Sequence, residues 1–444
     1  MTSTFLFALW AGGGNAPPQI ALARQLTERG HRVRMLAPAV LRERVQAAGL
    51  DFEPYGNTPE HDEADPQRGL LRDFEHRSPL AAARATRDHV LADMAEPVAS
   101  DVLAILDRHA IDVVVPDYML MGALFAAEKA NVPAAGLVHH IYPFPARGLP
   151  PFGHGWAPRS GLLGAARDAL GRSMFDRVWV KPLLGRLNQV RQQLGLEPLA
   201  GISDLLAVAD RILVLTSRSF DFPAEMPVNV RYVGPHLEQP DVTSSWESPW
   251  PDSDSRPLVI VSMSTTYQAQ ERLLRKVIEA VGRLPVRALV TAGPVDIADD
   301  QIPPNVRVAR FVPHGRVLPH AAGVVTHAGH GTVMAALRHG LPLVCLPMGR
   351  DQGDVAARVT WQGAGVRLSA RSGADKVAAA IEQVLGDSAF TAAARRLATA
   401  IAEEDAAGSG VDELLEVATS RQRTEILADL QRHVTVDGSA DTVA

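Results

Sequence analysis

The 444-residue chain has a single cysteine, Cys345, set inside an apolar run. No internal disulfide can form, and one buried thiol suits a reducing cytosol. Lysine is scarce, at 129, 181, 276 and 376 only, with arginine supplying the other basic groups. Basic residues number 44 against 50 acidic ones, a formal net charge of −6. That balance offers no excess positive charge for nucleic acid or for an anionic membrane. No apolar run approaches the roughly 18 residues that a membrane-spanning helix needs. The opening MTSTFLFALWAGGGN lacks a basic leader and a cleavage site, so residues 5–10 read as a first buried strand and the expected location is cytoplasmic. Aromatics make up only 5% of the chain, so a local cluster of them carries information.

What is present is apolar content of 46% spread over a length too great for one ordinary domain. Strand-like runs at 5–10, 32–36, 113–115, 134–138, 212–215 and 230–233 alternate with helical patterns at 17–29, 80–106 and 122–130. Pro17 and Pro18 suit a helix's first turn. Residues 236–257 are rich in Pro, Ser and Asp and read as a linker. Strand runs then restart at 258–263, 287–291, 306–310, 323–326 and 343–346. Residues 375–420 are mostly helical, and 421–433 are expected to add one more helix. The alternation implies α/β architecture with two doubly wound parallel sheets. The expected division is an N-terminal domain (1–235), the linker (236–257) and a C-terminal domain (258–410). A final helical segment (411–444) should pack back on the first domain.

The richest stretch is 326–354, THAGHGTVMAALRHGLPLVCLPMGRDQGD. A strand end leads into His327-Ala-Gly-His-Gly-Thr332, then a helix starting near Thr332. Gly329 and Gly331 let backbone approach a ligand, Thr332 can cap the helix, and the helix N-terminus favours an anion. Asp351 and Gln352 follow the next strand, and a carboxylate beside an amide suits sugar hydroxyls. Both features fall at C-terminal strand ends, where open α/β sheets bind ligands. Gly12-Gly13-Gly14 after the first strand is a weak dinucleotide fingerprint. The second strand ends in Ala37-Pro38 with no acidic residue for an NAD ribose, which argues against a dehydrogenase. His327 and His330 lack a third metal ligand, and Asp252-Ser253-Asp254 lies in the linker, so no metal site is expected.

Phe311-Val-Pro-His314, His327-x-Gly-x-Gly-Thr332 and Pro347-x-x-x-Asp351-Gln352 together resemble the donor signature of family 1 glycosyltransferases. Tyr232-Val-Gly-Pro235 and Ser262-Met-Ser-Thr265 are similar as well. These are the GT-B, UDP-glycosyltransferase-like enzymes, notably the bacterial ones acting on natural products. The resemblance implies a cleft between two Rossmann-like domains and an inverting, metal-independent transfer from a nucleotide diphosphate sugar, a co-substrate, with no cofactor. It implies that Phe311 stacks on the base and the Val312 backbone pairs with its edge. His327, Gly329, Gly331 and Thr332 would hold the diphosphate, with Thr265 helping and Gly14 facing it across the cleft. Asp351 and Gln352 would bind the sugar. Relatives carry a ribose-binding glutamate where this chain has Ala335, which points to a dTDP-sugar or to weaker ribose recognition.

The family's general base, a histidine before the first helix, corresponds here to Asn15, whose amide cannot take a proton. Three readings stand. Asp117, the counterpart of the family's orienting acid, acts as base itself, directly or through water. His140 or His139 reaches the cleft instead. Or Asn15 only caps the helix and the acceptor needs no dedicated base. Residues 55–80 and 141–200 are expected to wall an acceptor site, with Tyr142, Phe144, Phe152 and Trp156 forming an apolar pocket for a lipophilic or aromatic small molecule. O-transfer is the leading expectation, with C-transfer to an aromatic carbon, or a weakly active sugar-nucleotide-binding homologue or activator of a partner enzyme, as alternatives. A homodimer is compatible with this reading.

Overall fold

Short runs of fully apolar residues set the sheets, because a strand covered by helices on both faces has no use for alternation. In this computed structural model, which describes residues 2–76, 78–237, 246–298, 302–406 and 409–419, thirteen strands are assigned. The first lobe has β1 (Thr4–Ala8), β2 (Arg32–Ala37), β3 (Asp51–Pro54) and β4 (Val113–Pro116) in parallel order β3-β2-β1-β4. Next come β5 (Ala135–Val138), β6 (Arg211–Val214) and β7 (Val230–Tyr232), also parallel. Parallel bridges Val114–Ala134 and Asp117–Leu137 join β4 to β5, and Tyr118 N–H donates to the Leu137 carbonyl at 2.9 Å. The two sets thus continue one another, interrupted at Pro116, which has no N–H to offer a ladder.

The second lobe contains β8 (Leu258–Ser262), β9 (Arg287–Thr291), β10 (Val306–Ala309), β11 (Gly323–Thr326), β12 (Leu343–Cys345) and β13 (Gly365–Arg367). Their order is β10-β9-β8-β11-β12-β13, all parallel. Strand order reverses between β1 and β4 in one lobe and between β8 and β11 in the other. Ligands bind at such switch points because the flanking loops part there. The loops that carry Gly12–Asn15, Asp117, Thr265 and His327 all leave those four strands.

Three differences from the sequence reading have physical causes. The helix expected over 80–106 is divided into Pro79–Thr86, a wider π segment Arg87–Ala92, and Ala95–Leu106. Pro97 cannot donate to Asp93, and restarting at Ala95 puts it in a first turn, where the missing N–H is spare. The edge strands β3 and β13 were not expected, being only four and three residues long with little apolar pattern. The helix expected near Thr332 spans His330–Arg338.

Helix Ser409–Thr419 crosses back to the first lobe, where Val411, Leu414 and Val417 join Phe5 and Phe7 in its core. Arg211 pairs with Glu413 at 3.0 Å across that contact. In the linker, Trp250 is buried in the second lobe's core. Residues 238–245 and the tail, including the helix expected over 421–433, lie outside the described residues. No described helix is long and apolar enough to cross a membrane.

Candidate active site

A cavity of about 2170 Å³ runs between the lobes. A single-ligand pocket is typically about 300–1,000 Å³, so the volume exceeds what one small ligand fills. Every donor-site residue named from the sequence lines it: Gly14, Thr265, Phe311, Val312, His327, Gly329, Gly331, Thr332, Asp351 and Gln352.

At the β11 end, Ala328 takes a left-handed turn (φ 68°), and its N–H donates to Thr326 Oγ1 at 3.3 Å. The turn lets the helix begin at His330, with Gly329 in the cap position. Thr332 is therefore inside the first turn and is not the cap. The first-turn amides of His330, Gly331 and Thr332 have no intrahelical acceptor, which makes them anion donors at the positive end of the helix dipole. Burial pushes the His327 imidazole down to about 4, so near neutral pH it is an uncharged hydrogen-bonding group. Positive charge near it comes from Arg350, which lines the cavity and donates to Thr266 Oγ1 at 2.9 Å, beside the amides and the helix dipole. Opposite, Gly13 (φ 87°) lies so close to Thr266 that a Cβ there would sit 2.4 Å from Thr266 Cγ2. The glycine loop of the first lobe therefore abuts the 264–266 loop of the second, and both line the cavity with the 327–332 loop.

Phe311 leaves 68% of its surface exposed at the cavity wall, so its ring is free to stack on a planar ligand. Asp351 contributes a carboxylate to the lining. Gln352 behaves differently from the expectation that it binds sugar hydroxyls directly. Its Oε1 accepts from the Met348 and Gly349 amides at 2.8 and 3.2 Å, and its Nε2 donates to Gln268 Oε1 at 3.0 Å. The side chain braces the loop that presents Asp351 and has little hydrogen-bonding capacity left.

In the first lobe, Asn15 does not use its side chain to cap its helix. Its Nδ2 donates to the Trp10 carbonyl at 2.9 Å and to Asp117 Oδ2 at 3.1 Å. Asp117 is fully buried and is not part of the cavity wall, so the reading in which it takes the proton directly lacks access. Burial works to raise its pKa, but the adjacent His139, the Met119 amide and Asn15 hold it below the usual carboxylate range. His140 is also spoken for. Its Nδ1 lies 2.6 Å from the Ile141 carbonyl and its Nε2 2.8 Å from the Tyr118 hydroxyl. Burial first, then His139, pushes it down to about 4. His139 bonds Asp117 Oδ2 through Nδ1 at 2.9 Å and lines the cavity.

The acceptor wall includes Phe144 and Phe152, the latter stacked on His140 at 5.7 Å. Tyr142 is 1% exposed and belongs to the first lobe's core, and Trp156 packs on His154 at 4.3 Å outside the lining. Those two do not form the pocket as expected. Gln19, Gln268 and Tyr118 were missed. Gln19 was findable, since it stands four residues after Asn15 on the same helix face.

The 151–155 loop of the acceptor wall is tied to the second lobe by Asp354, which accepts from the Gly153 and Gly155 amides at 2.9 and 3.1 Å. Burial raises the Asp354 carboxyl from 3.8 to about 6, against the opposing pull of Arg358 and those amides. Between these two values the native state binds more protons than the unfolded chain. The stability Asp354 contributes is therefore full below 3.8, falls as pH rises to about 6, and is flat above. Urea unfolding of wild type and Asp354→Asn at stepped pH should show that difference shrinking over this window. A difference constant from pH 4 to 6 would contradict it.

Comparison with known proteins agrees with the fold. Residues 273–417 match the erythromycin biosynthesis protein CIII-like C-terminal domain. The chain is 34% identical over 427 residues to 4'-demethylrebeccamycin synthase of Lentzea aerocolonigenes, covering 93% of this chain and 99% of that one. Among solved structures, the glycosyltransferase of kitacinnamycin superposes with a TM-score of 0.72 at 20% identity, covering 94% of this chain and 99% of that one. Glycosyltransferase VinC, in complex with dTDP, superposes at 0.63 and 20% identity, covering 94% and 99%. The chain belongs to the UDP-glycosyltransferase-like family of GT-B glycosyltransferases that act in natural-product biosynthesis.

Proposed function

We propose that this protein transfers a sugar, with inversion, from a dTDP- or UDP-linked donor to a hydroxyl of a small lipophilic or aromatic natural product. The observation that carries this reading is that the His327–Thr332 loop, Thr265, Phe311 and Asp351 line the same interlobe cavity as the aromatic side chains Phe144 and Phe152. Phe311 would carry the base, the 327–332 backbone the diphosphate, and Asp351 the sugar hydroxyls. As the glycosidic bond to phosphate breaks, negative charge grows on the diphosphate. Preformed amides and a helix N-terminus stabilise that charge without reorganising, and this is the ground for proposing transfer without a metal.

Ala335 lines the cavity one turn along the helix from Thr332. A methyl group there cannot accept from a 2′-hydroxyl, which favours a deoxyribose donor, and VinC holds dTDP in its structure. Turnover of dTDP- and UDP-glucose with a phenolic acceptor panel, with and without chelator, tests the reading. The expected result is chelator-resistant transfer with dTDP-glucose at least as good as UDP-glucose. A strong UDP preference would remove the donor assignment, and loss of activity in chelator would remove metal independence.

A further inference from the structure

Asn15 cannot act as a base, yet the carboxylate that would orient one is intact and heavily engaged. Asp117 Oδ2 accepts from Asn15 Nδ2 at 3.1 Å, Gln19 Nε2 at 2.6 Å and His139 Nδ1 at 2.9 Å, while Oδ1 accepts from the Met119 amide at 3.1 Å. Of those donors only the histidine also carries a basic ring nitrogen, since side-chain and backbone amides do not accept protons. The β4–β5 bridge at Asp117–Leu137 sets this contact, since His139 follows Val138 on the neighbouring strand. A carboxylate on Nδ1 fixes that nitrogen as the donor and leaves the Nε2 lone pair available. The His139 side chain is 15% exposed, lines the cavity, and has no Nε2 partner among the described residues. His140 has both ring nitrogens occupied.

We propose that His139 is the general base of the transfer and that Asp117 is its positioning carboxylate. The proposal rests on the reaction stated above and names the group that the missing histidine at position 15 leaves unassigned. In the step, His139 Nε2 takes the acceptor's proton as its oxygen bonds the anomeric carbon. The bond from that carbon to the diphosphate breaks, and its electron pair stays on the departing phosphate at the 327–332 loop. His139 leaves the step as an imidazolium paired with the Asp117 carboxylate. Asn15 and Gln19 keep that carboxylate in place with neutral amides, so no second imidazole competes for Oδ2. The titratable groups that face His139 are Asp117, Tyr118, His140 and His330, and Asp351 acts on Tyr118 and His140 behind them. Tyr118 and His140 bond one another, and burial holds His330 well below its ordinary value.

The test uses the full chain with dTDP-glucose or UDP-glucose and two acceptors at pH 8: 4-methoxyphenol, which needs deprotonation, and 4-nitrophenol, which is already largely ionised. General-base catalysis is worth about 10²–10⁴-fold. His139→Ala should lose that factor in kcat on 4-methoxyphenol and under about tenfold on 4-nitrophenol, with dTDP affinity unchanged. Asp117→Asn should follow the same split. Equal losses on both phenols, or none, would overturn the assignment. If wild type transfers to neither phenol, the transfer reading is what has failed for these acceptors. The ¹⁵N spectrum of His139, identified by its loss in His139→Gln, then decides the base separately. A ring protonated at Nδ1 and bare at Nε2 supports the proposal, and the opposite tautomer overturns it.

Discussion

Arg358→Met is expected to destabilise the folded protein by about 3–5 kcal/mol. Arg358 comes from helix Gln352–Trp361 of the second lobe, and its Nε donates to Asp221 Oδ1 of the first lobe at 2.6 Å. Both side chains are buried, at 4% and 0% exposure. The guanidinium also donates to the Asp354 carbonyl at 3.0 Å and lies 4.3 Å over the Phe222 ring. Asp221 further accepts from the Phe222 amide and the Tyr232 hydroxyl, at 2.7 and 2.8 Å. A buried ion pair adds little net stability, but removing one partner leaves the other charge without compensation. The double variant Asp221→Asn/Arg358→Met should therefore be more stable than Arg358→Met alone. Urea unfolding measures both, and a single-variant loss under about 1 kcal/mol would show that Asp221 keeps enough water or alternative partners.

Gly329→Ala should have the opposite profile, keeping the fold and losing the donor. Gly329 has φ −62° and ψ 132°, which alanine adopts without strain. The added Cβ, however, would sit 2.4 Å from His327 Nε2. The imidazole is the movable party, so it must swing away from its place beside the first-turn amides. Losing a hydrogen bond to a charged group costs about 1.5–3 kcal/mol, or roughly 10–150-fold in affinity. Calorimetric titration should show dTDP binding weakened by that factor with the unfolding midpoint nearly unchanged. Unaltered dTDP affinity would mean that His327 has no contact with the diphosphate.

That residues 327–352 would line the cleft was readable because the stretch is local. Strand, turn, helix and the Asp351 loop follow one another within thirty residues, and each turn needs residue types that announce themselves. The rest of the site depends on contacts distant in sequence. Asp117 meets Asn15 and Gln19 from about a hundred residues away, and only the β4–β5 pairing shows that His139, rather than His140, shares its carboxylate. Aromatic residues after β5 read alike in sequence, yet Phe144 lines the cavity while Tyr142 fills the core. Gln352 was assigned by motif to the sugar, and its burial against the 348–349 amides appears only in three dimensions. The Asp221–Arg358 tie, 137 residues apart, leaves no periodic trace.

The central claim is that a nucleoside diphosphate lies between Phe311 and the 327–332 loop. A crystal structure of the full chain with dTDP bound tests it most directly. The account predicts the base on the Phe311 ring and phosphate oxygens within hydrogen-bonding reach of His327 and the Gly331 and Thr332 amides. A nucleotide bound with its phosphates at the first lobe, away from that loop, would contradict it.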